Sequence, residues 1–412
     1  MQKTPRGMRL HIGIFGKRNV GKSYVLNSFT NQNISIVSEI AGTTTDPVEK
    51  AMELLPFGPV LFVDTAGIDD EGILGEMRIH KTKKIFDRTD LAVIVTDHSG
   101  WGKFEEELYK EFTKRKISII AVFNKADLGQ FDPDKIQKVK ELGLEPVIVS
   151  AKRGDGINDL KQKIIKLAPE EFLNTSCIIA DLVPQGELVI LVVPIDLEAP
   201  KGRIILPQVH TIRDLLDNNS MMMVVKESEL ESSLNRLNKP PYLVVTDSQA
   251  FEKVSEIVPK DVKITSFSIL FARFKGDLNE FVKGTEAIKT LKPHDKILIC
   301  ESCTHHPIGD DIGRVKIPVW LSQYIGGELE FEYYTGHDFP ENLSDYKLII
   351  HCGACMTNRR EVLSRIMKAC QANVPITNYG LAIAYSLGIF ERALAPFSLQ
   401  VKQEITFSCN DA

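Results

Sequence analysis

The chain reads Gly16-Lys17-Arg18-Asn19-Val20-Gly21-Lys22-Ser23 between a strand-like run over residues 10–15 and a helical pattern over residues 24–29. This is the Gly-x-x-x-x-Gly-Lys-Ser loop in the strand–loop–helix context that it requires. Its glycines let backbone N–H groups surround a phosphate, and the N-terminus of the following helix adds positive potential. We expect Lys22 to reach the β- and γ-phosphates of a nucleotide and Ser23 to bind Mg²⁺.

Three further motifs each follow a strand-like run. They are Asp64-Thr65-Ala66-Gly67, Asn124-Lys125-Ala126-Asp127 and Ser150-Ala151-Lys152. Asp64 suits a carboxylate that supports Mg²⁺, and the Gly67 N–H suits a γ-phosphate. Asp127 could accept hydrogen bonds from the guanine N1–H and N2 amine, which adenine lacks, while the backbone of residues 150–152 meets the guanine O6. Asp97, at the end of another central strand, and Asp127 could instead merely cap helices.

The alternation of strands and helical stretches predicts an α/β domain with a doubly wound parallel sheet. Taken in this order, the motifs, including the P-loop at residues 16–23, resemble those of the small GTPases. Ala41-Gly42-Thr43-Thr44-Thr45-Asp46 resembles the first switch of bacterial GTPases of the Era and MnmE kind. That resemblance implies that Thr44 closes on Mg²⁺ when GTP is bound and that Asn19 helps to hold K⁺. Asn19 could equally be a loop residue with an unusual backbone conformation.

The residue after Gly67 is Ile68, at the position where Ras-like enzymes place a water-orienting glutamine. We therefore predict a slow GTP hydrolase that acts as a switch and is stimulated by K⁺. We expect Lys22, Thr44, Asp64 and Gly67 to act in hydrolysis, Ser23 and Thr44 to bind Mg²⁺, and Asn19 to bind K⁺. The predicted GTP/GDP site comprises Gly16, Asn19, Val20, Gly21, Lys22, Ser23, Tyr24, Thr44, Asp64, Gly67, Asn124, Lys125, Asp127, Ser150, Ala151 and Lys152.

Composition limits the class of protein. The 412 residues are 43% hydrophobic and 25% charged, as in ordinary globular proteins, and suffice for two to four domains. The net charge of −5 argues against a sequence-independent nucleic-acid coat. Residues 1–9 do not resemble a secretory leader, and seven cysteines, clustered in one region, argue against a disulfide framework. The longest apolar run, Leu188 to Pro194, is too short to span a membrane. We expect a cytoplasmic protein.

Three domains are predicted, over residues 1–170, 175–262 and 263–412. The middle one is expected to be a small α+β domain that dimerises, because its apolar strands need more cover than so short a domain supplies. Residues 177–183 and 187–195, around Pro184-Gln185-Gly186, predict a hairpin. The last domain is expected to be mainly parallel α/β. Its predicted strands lie at 264–270, 296–300, 329–333, 347–351 and 374–377, and its predicted helices at 311–325, 359–372 and 380–390.

Two cysteine-containing turns follow strands of this last domain. They are Cys300-Glu301-Ser302-Cys303-Thr304-His305 and His351-Cys352-Gly353-Ala354-Cys355. Ligands bind at the carboxyl edge of an open parallel sheet. If the two strands are neighbours, the thiolates of Cys303, Cys352 and Cys355 converge into a pocket suited to zinc or an iron–sulfur cluster. Three other cysteines are expected to act as small hydrophobic residues; they are Cys177, Cys370 and Cys409.

These residues resemble the fingerprint of the HydF family, the GTPase scaffold of [FeFe]-hydrogenase maturation, which is Cys-x-His, a long spacer and His-Cys-x-x-Cys. The resemblance covers the whole chain. It implies a [4Fe-4S] cluster on Cys303, Cys352 and Cys355, with the fourth iron open or weakly ligated. It also implies a homodimer that carries a transient di-iron precursor of the hydrogenase H-cluster to apo-[FeFe]-hydrogenase, with radical-type maturation enzymes as further partners. No membrane or nucleic-acid partner is expected.

The ligand of the fourth iron stays open at this point. His305 and His351 are candidates, and so are the carboxylates Glu301, Asp310 and Asp311. A histidine could instead hydrogen-bond to a sulfide of the cluster or stand behind its ligands. Cys300 can lie nearby without being a ligand.

A different reading is a ribosome- or tRNA-associated GTPase with a zinc-stabilised C-terminal RNA-binding domain, since Cys₃His is an ordinary zinc ligand set. It would need a basic surface with aromatic side chains, and the chain is net acidic. A radical-type [4Fe-4S] enzyme would need a Cys-x-x-x-Cys-x-x-Cys loop, which the sequence lacks.

Overall fold

The structure is a computed structural model that describes residues 5–30, 48–64, 84–173, 177–195, 204–302 and 311–397. It divides into two compact units, Met1–Ser176 and Cys177–Ala412, which we treat separately. Within the described ranges, no helix has both the length and the apolar character needed to cross a bilayer. Thr44, Gly67, Ile68, Cys303, His305 and Asp310 fall outside these ranges.

The first unit is built on a six-stranded sheet with the order β2-β3-β1-β4-β5-β6. The strands are β1 (Leu10–Phe15), β2 (Val48–Leu54), β3 (Gly58–Asp64), β4 (Leu91–Thr96), β5 (Ser118–Phe123) and β6 (Val147–Ile148). All neighbours pair in parallel except β2, which runs antiparallel to β3 at one edge. The predicted α/β sheet is confirmed, but the antiparallel edge strand was not predicted.

Helices cover both faces of this sheet. They are α1 (Lys22–Thr30), α2 (Lys103–Lys114), α3 (Pro133–Glu141), α4 (Ile157–Leu167) and α5 (Glu170–Leu173). Successive strand residues point to opposite faces, so Ile14 lies in one core while Phe15 packs with Phe112 in the other. Helix α3 begins where it does because Pro133 occupies its first turn and the Asp132 side chain accepts a hydrogen bond from the Asp134 N–H at 3.0 Å.

The second unit begins with a four-stranded sheet in the order β10-β9-β7-β8, in which all neighbours pair in parallel. Its strands are β7 (Leu188–Val192), β8 (Met221–Val225), β9 (Leu243–Thr246) and β10 (Lys263–Ser266), and its helices are α6 (Leu206–Asp217), α7 (Leu230–Leu234), α8 (Phe251–Ile257) and α9 (Phe267–Lys275). The parallel pairing makes this region α/β in detail, where the sequence had predicted α+β.

The predicted hairpin around residue 185 is wrong. Residues Ala180–Leu182 form a short 3₁₀ helix, and β7 pairs with β8 and β9 instead. The Asp214 carboxylate holds the preceding turn, because Oδ2 accepts backbone N–H bonds from Ile178, Ile179 and Ala180 at 3.0, 2.8 and 2.9 Å. These donors are therefore unavailable to a strand partner.

The predicted strand over residues 264–270 is correct only in its first half. Strand β10 ends at Ser266, whose side chain caps α9 by accepting the Ile269 N–H at 3.3 Å. A serine in this position satisfies one of the free donors of the first helical turn, so it favours a helix start over strand continuation. Strand β10 lies beyond residue 262 yet pairs with β9 of the middle sheet.

The second sheet of this unit has the order β12-β11-β13-β14 and is also wholly parallel, as predicted. Its strands are β11 (Lys296–Glu301), β12 (Glu330–Thr335), β13 (Leu348–His351) and β14 (Ile376–Asn378). Its helices are α10 (Leu278–Thr285), α11 (Ile317–Ile325), α12 (Arg359–Gln371), α13 (Tyr379–Ser386) and α14 (Phe390–Leu394). A π-helical turn, Ile312–Lys316, leads into α11. Strands β11 and β13 are neighbours, with Cys300 opposite His351.

Candidate functional site

The first unit contains a cavity of about 660 Å³ at the carboxyl edge of its sheet. Pockets of this size accommodate a nucleotide-sized ligand. Ten of the predicted residues line it, namely Asn19, Gly21, Lys22, Ser23, Tyr24, Asp64, Asn124, Lys125, Asp127 and Lys152. Arg18 and Leu128, which the sequence analysis did not select, line it too.

The P-loop backbone adopts the conformation that its glycines allow. The φ angles are +147° at Gly16, +93° at Gly21 and +64° at Asn19. A Cβ added to Gly21 would lie 2.3 Å from Asn124 Nδ2, so the close approach also requires glycine. Lys22 Nζ donates to the carbonyl oxygens of Gly16 and Lys17 at 2.6 and 2.7 Å, which holds its ammonium group over the loop.

A second pair of residues lies at the end of the cavity where Mg²⁺ is predicted to bind. Ser23 Oγ donates to Asp64 Oδ2 at 2.7 Å, which brings together the two groups predicted to bind and support Mg²⁺. Asp64 Oδ1 is buried and has no hydrogen-bond partner among the described residues. A buried carboxylate oxygen of this kind fits a hard divalent cation and its water shell. Thr44 and Gly67, also predicted here, lie outside the described residues.

Asn124 organises the end of the cavity where guanine recognition is predicted. Its Nδ2 donates to the Val20 carbonyl oxygen at 2.9 Å, and its Oδ1 accepts the Ala151 N–H at 3.1 Å. One side chain thus ties the P-loop to both base-recognition segments. Four other predicted residues form hydrogen bonds with residues that line the cavity; they are Gly16, Val20, Ser150 and Ala151.

Asp127 is held by its neighbour Ser150. Ser150 Oγ donates to Asp127 Oδ1 at 2.7 Å, and this hydrogen bond, more than any other contact, holds the pKa of the half-buried Asp127 below its ordinary value. Asp127 is therefore a carboxylate that can only accept hydrogen bonds, as recognition of the guanine N–H groups requires. The sequence alone predicts only a backbone role for Ser150.

Sequence reasoning treated Asp97 as a possible helix cap, but it orients Lys125. Lys125 Nζ donates to Asp97 Oδ2 at 2.7 Å, and Lys125 itself has a left-handed backbone with φ +69°. Burial alone would raise the pKa of Asp97, but donors from Lys125 and Ser99 outweigh it and lower the pKa. A lysine in the left-handed region is unusual, and the ion pair helps to fix it there.

In the second unit, the described start of the first cysteine turn, residues 300–302, meets the second turn at the carboxyl edge of β11 and β13. The Ser302 N–H donates to Cys352 Sγ at 3.1 Å, and the Ala354 N–H donates to the same sulfur at 3.5 Å. Ser302, the last described residue before Cys303, therefore lies beside the sulfur of Cys352. Within the described ranges, which exclude Cys303, no three His, Cys, Asp or Glu side chains are grouped to hold a metal ion.

The donor set around Cys352 suits a metal-bound thiolate. Burial, followed by the neighbouring Cys355, raises the pKa of the Cys352 thiol, while its hydrogen bonds lower it. A cation or cluster iron supplies the positive charge that a buried thiolate needs, and backbone N–H donors to sulfur are typical of iron–sulfur sites. The residues present therefore fit an iron–sulfur cluster.

His351 is fully buried and both of its ring nitrogens have partners. Nδ1 lies 2.8 Å from the Cys352 carbonyl oxygen, which can only accept, so Nδ1 carries the hydrogen and Nε2 accepts from Arg365 Nη1 at 3.0 Å. Burial, with help from the Arg365 charge, lowers the pKa of His351 to about 4. In this arrangement both ring nitrogens of His351 are engaged in hydrogen bonds, so neither is available to bind a metal ion.

The other candidates near the cysteines also have assigned places. Glu301 forms an ion pair with Arg314 at 2.8 Å, and Asp311 Oδ1 accepts the Arg314 N–H at 2.6 Å. Cys300 is fully buried, and burial raises its pKa to about 12, so it is a core residue in this structure.

Comparisons with known proteins match the same regions. A family model described as "Hydrogen maturase F tetramerization domain" matches residues 279–396, and one described as "Hydrogen maturase F dimerization domain" matches residues 178–276. A third, "50S ribosome-binding GTPase", matches residues 11–125. The two hydrogen maturase models together cover more than half of the chain.

Curated relatives resemble part of the chain. GTPase Der of Wolinella succinogenes is 36% identical over 177 residues, which is 40% of this chain and 37% of the relative. The tRNA modification GTPase MnmE of Prochlorococcus marinus is 36% identical over 162 residues, which is 38% of this chain and 34% of the relative. The chain thus spans little more than a third of the length of these relatives.

A solved structure of Era from Aquifex aeolicus is 22% identical, with a TM-score of 0.34 over 52% of this chain and 93% of that one, a likeness too low to support an argument. The family assignment rests instead on the two hydrogen maturase models, which match residues C-terminal to the match of the GTPase model. The chain belongs to the hydrogen maturase F family, HydF.

Proposed function

We propose that the first unit is a GTP-hydrolysing switch. Its cavity combines a P-loop lysine, the Ser23–Asp64 pair at the Mg²⁺ end and Asp127 at the guanine end. Hydrolysis is slow because Ile68 cannot orient the attacking water, and K⁺ bound near Asn19 compensates in part. GTP favours one arrangement of the loops at residues 43–45 and 67–75, and its loss relaxes them.

The last domain holds a [4Fe-4S] cluster through Cys303, Cys352 and Cys355. The observation that carries this proposal is the 3.1 Å hydrogen bond from the Ser302 N–H to Cys352 Sγ, which brings the first cysteine turn to the second. With three cysteine ligands, one iron keeps an exchangeable position that can bind and release a further ligand. His351 Nε2 accepts a hydrogen bond from Arg365, so we place His351 beside the cluster and not on an iron. The fourth iron would then be bound by His305 or by a carboxylate outside the described residues.

The cargo is a di-iron precursor of the hydrogenase H-cluster, which the protein delivers to apo-[FeFe]-hydrogenase in the cytoplasm. Radical-type maturation enzymes are the partners that would load it. Membership of the hydrogen maturase F family supports this role. The GTP state is coupled to loading or release of the cargo, and a Lys22→Ala protein that activated hydrogenase at the normal rate would count against that coupling.

The middle domain forms a homodimer. Strand β8 is an edge strand of the middle sheet, and it exposes 56% of Met221 and 47% of Val224. An exposed apolar edge strand offers free backbone donors and acceptors to another strand, so it suits pairing with a second copy. The match to a dimerization domain over these residues supports the same conclusion.

The decisive experiment is anaerobic purification with iron and zinc analysis and EPR of the reduced protein. We would compare the wild type with Cys303→Ser, Cys352→Ser and Cys355→Ser, and use Cys370→Ser on α12 as the matched control. About four irons per chain and a reduced-cluster signal are expected, lost in the first three variants and kept in the fourth. One tightly held zinc with no signal after reconstitution would refute the carrier and favour a zinc-stabilised RNA-binding domain.

A further inference from the structure

Tyr379 lies next to Cys352 at the carboxyl edge of the sheet. Strands β13 and β14 pair in parallel, with His351 opposite Asn378. Cys352 and Tyr379 are the residues that directly follow these two strands. Asn378 Nδ2 reinforces this register by donating to the Cys352 carbonyl oxygen at 3.4 Å. Tyr379 is the first residue of α13, so its position is fixed by a strand on one side and a helix on the other.

The Tyr379 hydroxyl is buried and has no hydrogen-bond partner among the described residues. Only 8% of the residue is exposed, and its ring belongs to the apolar core that contains Ile299 and Ile350. Cys352 packs against that same core. Buried hydroxyl groups in native proteins nearly always have a partner, because an unsatisfied one costs its full desolvation energy. A phenylalanine would fill this space without that cost.

The hydroxyl lies close to the backbone of Gly313. A Cβ added to Gly313, in the π-helical turn, would lie 2.2 Å from Tyr379 Oη and 3.0 Å from Glu301 Oε1. The carboxylate of Glu301 is already engaged by Arg314. A tyrosine hydroxyl is protonated near neutral pH, so this group can donate a hydrogen bond.

We propose that Tyr379 Oη donates a hydrogen bond to a sulfide of the iron–sulfur cluster. The inference rests on the cluster-binding function proposed above. A hydrogen bond to sulfur stabilises the reduced, more negative cluster more than the oxidised one, so Tyr379 raises the reduction potential. Tyr379 is a tuning residue and not a ligand.

The test is an EPR-monitored redox titration of the full-length, anaerobically reconstituted protein. Tyr379→Phe removes the hydroxyl alone. Tyr385→Phe is the matched control, because it removes a hydroxyl from the same helix where Tyr385 instead packs edge-on against Tyr324. At a fixed potential we expect the reduced-to-oxidised ratio to fall about threefold to tenfold in Tyr379→Phe, the size of one hydrogen bond. Iron content and the Tyr385→Phe potential should not change.

Two further measurements strengthen the test. Pulsed EPR in D₂O should show an exchangeable proton coupled to the wild-type cluster and absent from Tyr379→Phe. The metal-free Tyr379→Phe protein should be as thermally stable as the wild type or more so, because no protein group loses a partner. A destabilised metal-free variant would show that the hydroxyl already has a protein partner, and would overturn the proposal.

The possible failures can be told apart. Equal potentials and equal proton couplings, with iron bound in all three proteins, would overturn the role of Tyr379 and leave the cluster in place. Loss of iron from a folded Tyr379→Phe protein would also overturn it, since the residue would then be needed to hold the cluster. Absence of iron from the wild type would refute the proposed function itself.

Discussion

Arg365 Nη1 lies 3.0 Å from His351 Nε2, and both side chains are buried. The same guanidinium donates through Nη2 to Glu361 Oε1 at 2.7 Å and to the Gly336 carbonyl oxygen at 2.6 Å. A cation from α12 thus fixes the imidazole that precedes the cysteine turn. The buried ion pair between Arg365 and Glu361 therefore supports the cysteine turn through His351. The sequence motif alone does not reveal this contact.

Replacing Arg365 should destabilise the second unit. Arg365→Met removes the guanidinium from the buried Glu361 carboxylate, whose other oxygen lies 2.9 Å from His337 Nδ1. We expect a loss of about 3–5 kcal/mol in the free energy of unfolding. Denaturant unfolding of the metal-free protein measures it. Lys368→Met removes the same charge from a half-buried position on the same helix and should cost less than about 1 kcal/mol. Equal losses in the two variants would show that the buried contacts of Arg365 are not special.

Cys300 should be dispensable for metal binding although it belongs to the first cysteine turn. Its pKa near 12 leaves roughly one thiolate in ten thousand at about pH 8, and its sulfur is buried. Iron content of reconstituted Cys300→Ala should equal that of the wild type, while Cys352→Ala should lose it. In the metal-free folded protein, iodoacetamide should not label Cys300 until denaturant is added. Iron loss from Cys300→Ala would make it a fourth ligand.

Gly21 should be essential for nucleotide binding. An alanine there would combine a φ of +93° with a Cβ at 2.3 Å from Asn124 Nδ2, so the bond from Asn124 to Val20 would break. We expect GTP affinity to fall by at least about tenfold, measured by calorimetry. Gly143→Ala is the control, because Gly143 also has a positive φ of +78° but open space around its Cα. Unchanged affinity in Gly21→Ala would contradict the assignment.

Base specificity should change in Asp127→Asn. The amide offers a donor where guanine also offers N–H groups, so GTP affinity should fall about a hundredfold through two lost hydrogen bonds. Xanthosine triphosphate carries a carbonyl in place of the N2 amine and should gain affinity in the variant. Asp159→Asn changes an exposed carboxylate on α4 and should bind GTP normally. A normal preference for GTP in Asp127→Asn would exclude Asp127 from base recognition.

Potassium should act through Asn19. We expect GTP hydrolysis in K⁺ to exceed that in Na⁺ by about tenfold or more, because a well-placed cation offsets charge that develops in the transition state. Asn19→Gly keeps the φ of +64° accessible while removing the side chain, so it tests the amide and not the backbone. The variant should bind GTP but hydrolyse it equally in both salts. A variant that retained the K⁺ effect would rule Asn19 out.

Much of the candidate nucleotide site could be predicted because its residues lie within short sequence motifs. The P-loop, Asp64 and the Asn124–Asp127 segment each follow a strand, and strand ends meet at one edge of a parallel sheet. The bonds that refine the site were not predictable, since Asp97 with Lys125 and Val20 with Asn124 join residues far apart in sequence. Nothing in a one-dimensional pattern specifies such pairs.

The middle domain shows where the pattern failed. Apolar runs on either side of a Pro-Gln-Gly turn are typical of a hairpin, but Asp214, 34 to 36 residues further on, takes the backbone donors of the first run. The local preference for a hairpin was overridden by a distant carboxylate. Strand pairing is non-local, so a single sequence constrains it weakly.

By itself the sequence determined the nucleotide-binding fold, the two mainly parallel sheets whose strands lead into the candidate site turns, and the order of the motifs along the chain, because these follow from local periodicity and short fixed spacings. Only the tertiary structure decided that the Ser302 N–H donates to the sulfur of Cys352 and that Arg365 donates to the imidazole of His351. It also decided that the Tyr379 hydroxyl is buried next to the cysteine turn. Those relationships depend on strand register and helix packing, which place residues from separate segments at hydrogen-bonding distance.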